Sequence, residues 1–166
     1  AERRTRRAAE AAEGKPAVAL VAKAGASTEL VAKLLDAYAG EPGAVGVDVI
    51  LCGPGQQGRM LREGHADVAL LHAPFDSLAG LDYESLGTEG QVVLLPSGHP
   101  FTGRAEVRTD EVSDLPGLPQ PRWPQADGRY EAGPGPEVRD HAQLLQLIAL
   151  GRASVIAPES TRSSID

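Results

Sequence analysis

The sequence of 166 residues has one cysteine, Cys52, and no long apolar run. A single thiol forms no internal disulfide and no cysteine-based zinc site. No stretch approaches the ~20 consecutive apolar residues that cross a bilayer. The arginine-rich start has no apolar run behind it, as a secretory signal would. These absences exclude a membrane span and favour a cytoplasmic protein.

Charge is unevenly spread along the chain. The net charge is -7, but residues 1–16 hold five basic and three acidic side chains, so the remainder carries −9. An acidic surface repels nucleic acid, so these residues are not expected to bind DNA by themselves. Residues 1–16 are rich in helix formers and have no apolar face, which predicts the end of an exposed helix or a linker. A basic nucleic-acid arm is the alternative, which the interleaved glutamates disfavour.

The first half of the sequence alternates short apolar runs with helical patterns. Strands are predicted at residues 17–22, 45–51 and 66–71. Helices are predicted from Ser27 and Thr28 to Tyr38 and at residues 57–63, because apolar side chains recur there on one face. This succession with short connections is typical of a parallel sheet covered by helices.

The second half is less regular. Two short strands are predicted at residues 83–86 and 91–95. Residues 116–136 are dense in proline and glycine, so little regular structure is expected there. A helical pattern follows at residues 137–150, and a last short strand is predicted at residues 153–157.

The motifs of common catalytic and cofactor sites are weak or missing. The four histidines are scattered without metal-ligand spacing, and there is no Gly-x-Ser-x-Gly motif. The segment from Gly53 to Gly58 superficially matches a dinucleotide fingerprint, but Pro54 removes a backbone donor from the turn. We therefore predict no catalytic residue, no metal site and no cofactor.

Position in the fold points to a ligand site instead. In open parallel sheets, ligands bind beyond the carboxyl ends of the strands, where helices begin with free N–H groups. Three segments fit this position, at residues 24–28, 53–57 and 72–75. Ser27 and Thr28 either cap their helix or contact a ligand, and the two roles are compatible.

Four stretches of the sequence resemble the effector-binding domain of LysR-type transcription regulators over residues 17–160. They are the helix with Leu30, Leu34 and Leu35, then MLREGHADVAL at 60–70, VVLLPSGHPF at 92–101 and LLQLIALGRASVIAPE at 144–159. Their order and spacing carry the resemblance, and Ala66-Asp67 and Gly98-His99-Pro100 carry it most, because a general parallel sheet does not require them.

The resemblance implies an α/β, two-lobed, periplasmic-binding-protein-like (type II) fold with mixed, mainly parallel sheets. Residues 1–16 would end a linker helix, residues 17–91 would form lobe I, residues 92–96 a crossover and residues 97–166 lobe II. The family continues beyond the strand at Val155 with a return to lobe I. That return is missing here, so the domain is expected to be truncated at its C-terminus or to have lost it.

The resemblance also implies a ligand-sensing, cytoplasmic regulator that is not an enzyme. A small-molecule effector would bind between the two lobes, and DNA would be bound only through an N-terminal winged helix-turn-helix absent here. A homodimer or homotetramer is expected. The effector contacts expected from position are Ser27, Thr28, Gly53, Gln56, His72, Pro96, Trp123 and His141.

Two other classes of protein use the same scaffold. One is a small-molecule-binding enzyme, such as a prephenate dehydratase-like protein, for which no catalytic dyad is visible. The other is a secreted or lipid-anchored solute-binding protein, which the missing signal and the arginine-rich start disfavour. The effector itself is not predicted by the sequence.

Overall fold

The computed structural model describes Thr5 and residues 17–165. The chain divides into two compact units, one up to Gly87 and one from Thr88 onward, called the first and the second unit below. The linker helix predicted for residues 1–16 lies outside the described residues except for Thr5. The predicted lobe and crossover boundaries stay predictions.

The first unit is built on a three-stranded parallel sheet in the order β2-β1-β3. The central strand β1 (Ala17–Lys23) pairs with β2 (Gly46–Cys52) along its whole length and with β3 (Val68–Ala69) on its other edge. A central parallel strand has neighbouring strands on both edges, and helices cover the faces of the sheet. Its side chains are therefore buried on both sides, which favours an uninterrupted apolar run. Residues 19–22 are accordingly buried, and the predicted parallel sheet is confirmed.

Two helices follow the first two strands. The first, α1 (Thr28–Ala39), places Val31 among buried side chains, and the second, α2 (Gln56–Arg62), packs on β1 and β3. Both lie within two residues of their predicted bounds. The apolar face of α1 meets one face of the sheet in a cluster made of Leu20, Ala22, Val31, Leu35, Val47 and Leu70.

The third strand is shorter than the predicted range of residues 66–71. Its ladder contains Val68 and Ala69, and two further backbone bonds flank it, from Asp67 N to the Ala19 oxygen at 2.9 Å and from Leu70 N to the Val21 oxygen at 3.0 Å. The Asp67 carboxylate also accepts a bond from Ala19 N at 2.8 Å. Backbone bonds to β1 thus continue on both sides of the two-residue strand, and the Asp67 carboxylate adds one more bond at this edge.

The strand predicted at residues 83–86 is wrong. These residues have no regular structure, and Tyr83 and Leu86 are 68% and 59% exposed. β-Propensity reflects packing against neighbouring strands, and this segment has none beside it. Alternating apolar residues therefore did not produce a strand.

The second unit contains a two-stranded antiparallel sheet. Strand β4 (Gln91–Leu94) pairs with β5 (Val155–Pro158), close to the predicted ranges of residues 91–95 and 153–157. The helical elements, of which only the longest was predicted, are the short α3 (Thr109–Val112), the longer α4 (His141–Ala149), and 3₁₀ turns at Pro100–Gly103 and Glu159–Ser164.

Helix α4 begins later than the predicted residue 137, because Asp140 caps it. The Asp140 carboxylate accepts a bond from Gln143 N at 2.8 Å, the contact that defines a helix N-terminus. The buried face of α4 packs into one cluster of the second unit, made of Val138, Leu144, Ile148 and Ala153.

The proline- and glycine-rich segment at residues 116–136 forms only isolated bridges, as predicted. Hydrogen bonds of Arg122 connect residue 122 to residues 135–138. The Arg122 Nε donates to the Gly135 oxygen at 2.6 Å, and the Arg122 backbone bonds to Pro136 and Val138. Gly135 is packed so closely that a Cβ there would lie 1.7 Å from the Gln120 oxygen.

Candidate functional site

Three loops meet at one edge of the first unit's sheet. They follow β1, β2 and β3, and the carboxyl ends of parallel strands share an edge. Five of the residues predicted as effector contacts stand on these loops or at the helix starts that follow them, namely Ser27, Thr28, Gly53, Gln56 and His72. We call this group the strand-end site.

Ser27 links the first loop to the third. Its hydroxyl Oγ lies 3.1 Å from His72 Nε2, within hydrogen-bond distance. Ser27 is buried and occupies the N-cap position of α1, but its side chain makes no capping hydrogen bond. The interpretation of Ser27 as a side-chain cap is therefore wrong. Its φ of 58° places the backbone in the left-handed region, where the hydroxyl does not bond to the first turn of the helix.

Thr28 is the first residue of α1 and is exposed. Its hydroxyl and the first N–H groups of the helix lie at the same end of a 12-residue helix. The helix dipole and unbonded N–H groups at such an end favour a negatively charged group. The Ser27–Thr28 step thus presents a hydroxyl beside a positively polarised helix end.

His72 is held by the loop that follows it. The Asp76 carboxylate accepts a bond from His72 N at 2.8 Å, and Asp76 N donates back to the His72 oxygen at 2.9 Å. Farther along, the Arg62 guanidinium donates to the backbone oxygens of Ser77 and Ala79 at 2.8 Å each. This side of the strand-end site is therefore fixed at two points.

Gly53 and Gln56 bond to each other. Gly53 N donates to Gln56 Oε1 at 3.3 Å, and Gln56 N donates to the Gly53 oxygen at the same distance. The turn is completed by Gly55, with a φ of 73°. Gly53 is a predicted effector contact, and its N–H is already occupied by Gln56 in this structure.

Cys52, at the end of β2, is a weakly acidic thiol. Its Sγ lies 3.6 Å from the Ala22 oxygen, to which it donates. Burial raises the pKa of Cys52 to about 11, and the Asp76 carboxylate adds to the rise, whereas Arg59 and Lys23 oppose it. The reactive thiolate is therefore scarce near neutral pH.

The other three predicted contacts belong to the second unit. Trp123 packs against the cluster around Val138, which is a core role. His141 is the first residue of α4, and its Nε2 lies 3.3 Å from Ser164 Oγ. The Pro96 oxygen accepts a bond from His99 N at 3.1 Å. Pro96, Trp123 and His141 thus contact different parts of the second unit.

Sequence reasoning missed Gln57. This glutamine lies in the first turn of α2 and is 0% exposed, although α2 was predicted and Gln57 marked its start. The sequence carries no local signal for this burial, because a glutamine in a helix is ordinarily solvated and the packing of α2 decides that Gln57 and Gly58 are buried. Asp76 was missed too, since its role depends on the turn after His72.

The described part of the chain contains no group of three or more histidine, cysteine or acidic side chains that could hold a metal ion. None of the helices among these residues combines the length and the apolar character that a membrane-spanning helix needs.

Two solved structures share this fold. OxyR of Corynebacterium glutamicum in its oxidized form matches with a TM-score of 0.58 and 19% identity over 93% of this chain. A cysteine-to-serine variant of the same protein with bound H₂O₂ matches with a TM-score of 0.58 and 21% identity over 93% of this chain. The chain spans 52% and 57% of their lengths. Comparison with curated proteins gives no match.

These features define the class of protein: a mixed α/β domain of the periplasmic-binding-protein-like (type II) fold, with a parallel sheet. The family model described as the LysR substrate binding domain matches residues 11–165. The chain belongs to this family, as the sequence motifs implied. The chain is therefore a LysR substrate binding domain.

Proposed function

We propose that this domain senses a small organic carboxylate at the strand-end site. The observation that carries the proposal is the Ser27–His72 contact, which joins two loops beside the uncapped start of α1. A carboxylate there would face the helix N-terminus, where a negative charge is stabilised by typically ~0.3–1 kcal/mol. The Thr28 hydroxyl would donate to the same group.

The remaining predicted contacts have weaker support. Gly53 and Gln56 satisfy each other, so a ligand reaching them would replace an existing bond. Pro96, Trp123 and His141, in the second unit, stay proposals as effector contacts. Among the eight, Ser27, Thr28 and His72 form the group to test first.

The family supports a proposal about the rest of the regulator. We propose that the full protein is cytoplasmic, binds DNA through a winged helix-turn-helix outside these residues, and assembles as a homodimer or homotetramer. The net charge of -7 fits a domain that does not itself bind DNA. We further propose that the domain catalyses no reaction, because the family model that it matches describes a substrate binding domain.

Thiol-based sensing has little support within this chain. Its one cysteine, Cys52, has a pKa raised to about 11, which opposes oxidation through the thiolate. A bound organic effector is therefore the better proposal than a redox switch.

Matched four-carbon probes test the proposal. Butyrate, butylamine and butanol differ only in their head group, and sodium chloride controls for ionic strength. Binding to the 166-residue chain is followed by backbone amide chemical shifts. We expect butyrate alone to shift signals of the strand-end site, and Thr28→Val to weaken it by about tenfold, because a hydrogen bond to a charged group is lost.

The matched control is Thr109→Val, since Thr109 is also an exposed first residue of a helix but lies in the second unit. It should leave butyrate binding unchanged. Equal shifts with all three probes, or no loss of affinity in Thr28→Val, would contradict the carboxylate site.

A further inference from the structure

Gln57 is a fully enclosed polar side chain without hydrogen-bond partners. Its relative exposure is 0%, and it is among the largest side chains so enclosed. Neither amide atom, Oε1 or Nε2, has a partner among the residues that the structure describes. By contrast, Ser154 is also 0% exposed, but its Oγ donates to the Leu118 oxygen at 2.8 Å.

An enclosed amide without partners opposes folding. Burying the carboxamide removes its bonds to water, and nothing on the protein replaces them. An apolar side chain of similar volume would pack there without this cost, as the face of a helix against a sheet normally does. Gln57 is thus unfavourable for the stability of α2, which points to another use of its amide.

The location of Gln57 connects it to the strand-end site. It lies in the first turn of α2, directly after the Gly53–Gly55 turn at the end of β2. Helix α2 packs on β1 and β3, and the carboxyl ends of these two strands lead to Ser27 and His72. The amide is therefore enclosed at the same edge of the sheet that carries the proposed carboxylate site.

We propose that Gln57 is a specificity-determining residue that pairs with a carboxamide of the effector. The inference rests on the proposed function, since the carboxylate of that effector would occupy the strand-end site. The Gln57 Nε2 donates and Oε1 accepts, so the complementary group presents a C=O beside an N–H. A primary carboxamide satisfies both atoms. A second carboxylate places an acceptor against Oε1, and a methyl group satisfies neither atom.

Succinamate and butyrate are the probes that separate these cases. Both are four-carbon carboxylates, but succinamate carries a carboxamide where butyrate carries a methyl group. Titrations followed by amide chemical shifts give the Kd of each probe for the 166-residue chain. We expect succinamate to bind at least about tenfold more tightly than butyrate, because butyrate leaves the enclosed amide unpaired. Succinate should bind more weakly than succinamate.

Gln57→Met removes the amide and keeps the side-chain length. We expect this variant to bind both probes equally, at the Kd of butyrate, and to unfold at the same or a higher urea concentration without ligand. Gln57→Leu is the second apolar variant. The matched control is Gln146→Met, because Gln146 is an exposed helical glutamine of the second unit. It should keep the wild-type preference for succinamate.

The outcomes separate this inference from the proposed function. Equal affinity of the wild type for succinamate and butyrate overturns the role of Gln57 and leaves the carboxylate site intact. If neither succinamate nor butyrate binds, both proposals are overturned. A preference for succinamate that persists in Gln57→Met or Gln57→Leu also overturns the role of Gln57.

Discussion

Replacing Ser27 by alanine and by glycine should have unequal effects on stability. Ser27 holds a φ of 58° and contacts His72 through its hydroxyl. Both substitutions remove the hydroxyl and its bond, worth about 1 kcal/mol. Alanine keeps the left-handed backbone penalty that serine has, roughly 1–2 kcal/mol for an L-residue, whereas glycine is relieved of it.

In Ser27→Gly, the relief of backbone strain and the greater freedom of the unfolded chain together nearly offset the loss of the hydrogen bond to His72. Relief of about 1–2 kcal/mol is offset by about 0.4–1 kcal/mol for the greater freedom of glycine in the unfolded chain. We therefore expect Ser27→Gly to be more stable than Ser27→Ala by about 0.5–1 kcal/mol. Urea unfolding with an unchanged m-value measures the difference as a shift of the midpoint.

Ser113 provides a control with the opposite sign. It follows α3 with a φ of -71° in the right-handed region, and it is exposed. Glycine brings no relief there, so Ser113→Gly should be less stable than Ser113→Ala by roughly 0.5–1 kcal/mol. The reasoning about Ser27 is refuted if its glycine variant unfolds at a lower urea concentration than its alanine variant.

Two further predictions concern packing and ionisation. Gly135→Ala should lower the free energy of unfolding by more than about 2 kcal/mol, because its Cβ would lie 1.7 Å from the Gln120 oxygen, whereas Gly103→Ala, with nothing within 4 Å, should be nearly neutral in the same urea assay. Cys52 should react with iodoacetamide at pH 8 roughly a hundredfold more slowly in the folded than in the urea-unfolded protein, since its pKa rises from 9.0 to about 11. As pH rises above 9 the thiol ionises first in the unfolded chain, so stability should fall, and Cys52→Ala should remove that part of the slope. Equal alkylation rates would contradict the thiol prediction.

Much of the first unit's fold could be predicted from local patterns. The apolar run of β1 needs only its own residues to be recognised, and the recurrence of Val31 and Leu35 on one face predicts α1. The segment at residues 83–86 has a similar local pattern and is not a strand. Its outcome depends on whether another strand lies beside it, and that is decided elsewhere in the chain.

The candidate site was predicted by position but not by conformation. The rule for parallel sheets placed Ser27 and His72 at the same edge, and the structure brings them into contact. It did not predict the left-handed backbone of Ser27, which prevents the expected cap. Gln57 was overlooked because a glutamine in a helix is ordinarily solvated, and its burial depends on how α2 packs.

The hydrogen bonds from Arg62 to the loop after His72 have a consequence for engineering new sensors. Its guanidinium bonds to the backbone oxygens of Ser77 and Ala79, which every amino acid carries. Backbone atoms therefore set much of the path of this loop, and a side-chain bond within it runs from Ala79 N to Ser77 Oγ at 3.3 Å. A library randomised at residues 78 and 79 should retain the fold as long as Arg62 and Ser77 are kept, so these two positions beside the strand-end site are suited to varying ligand preference.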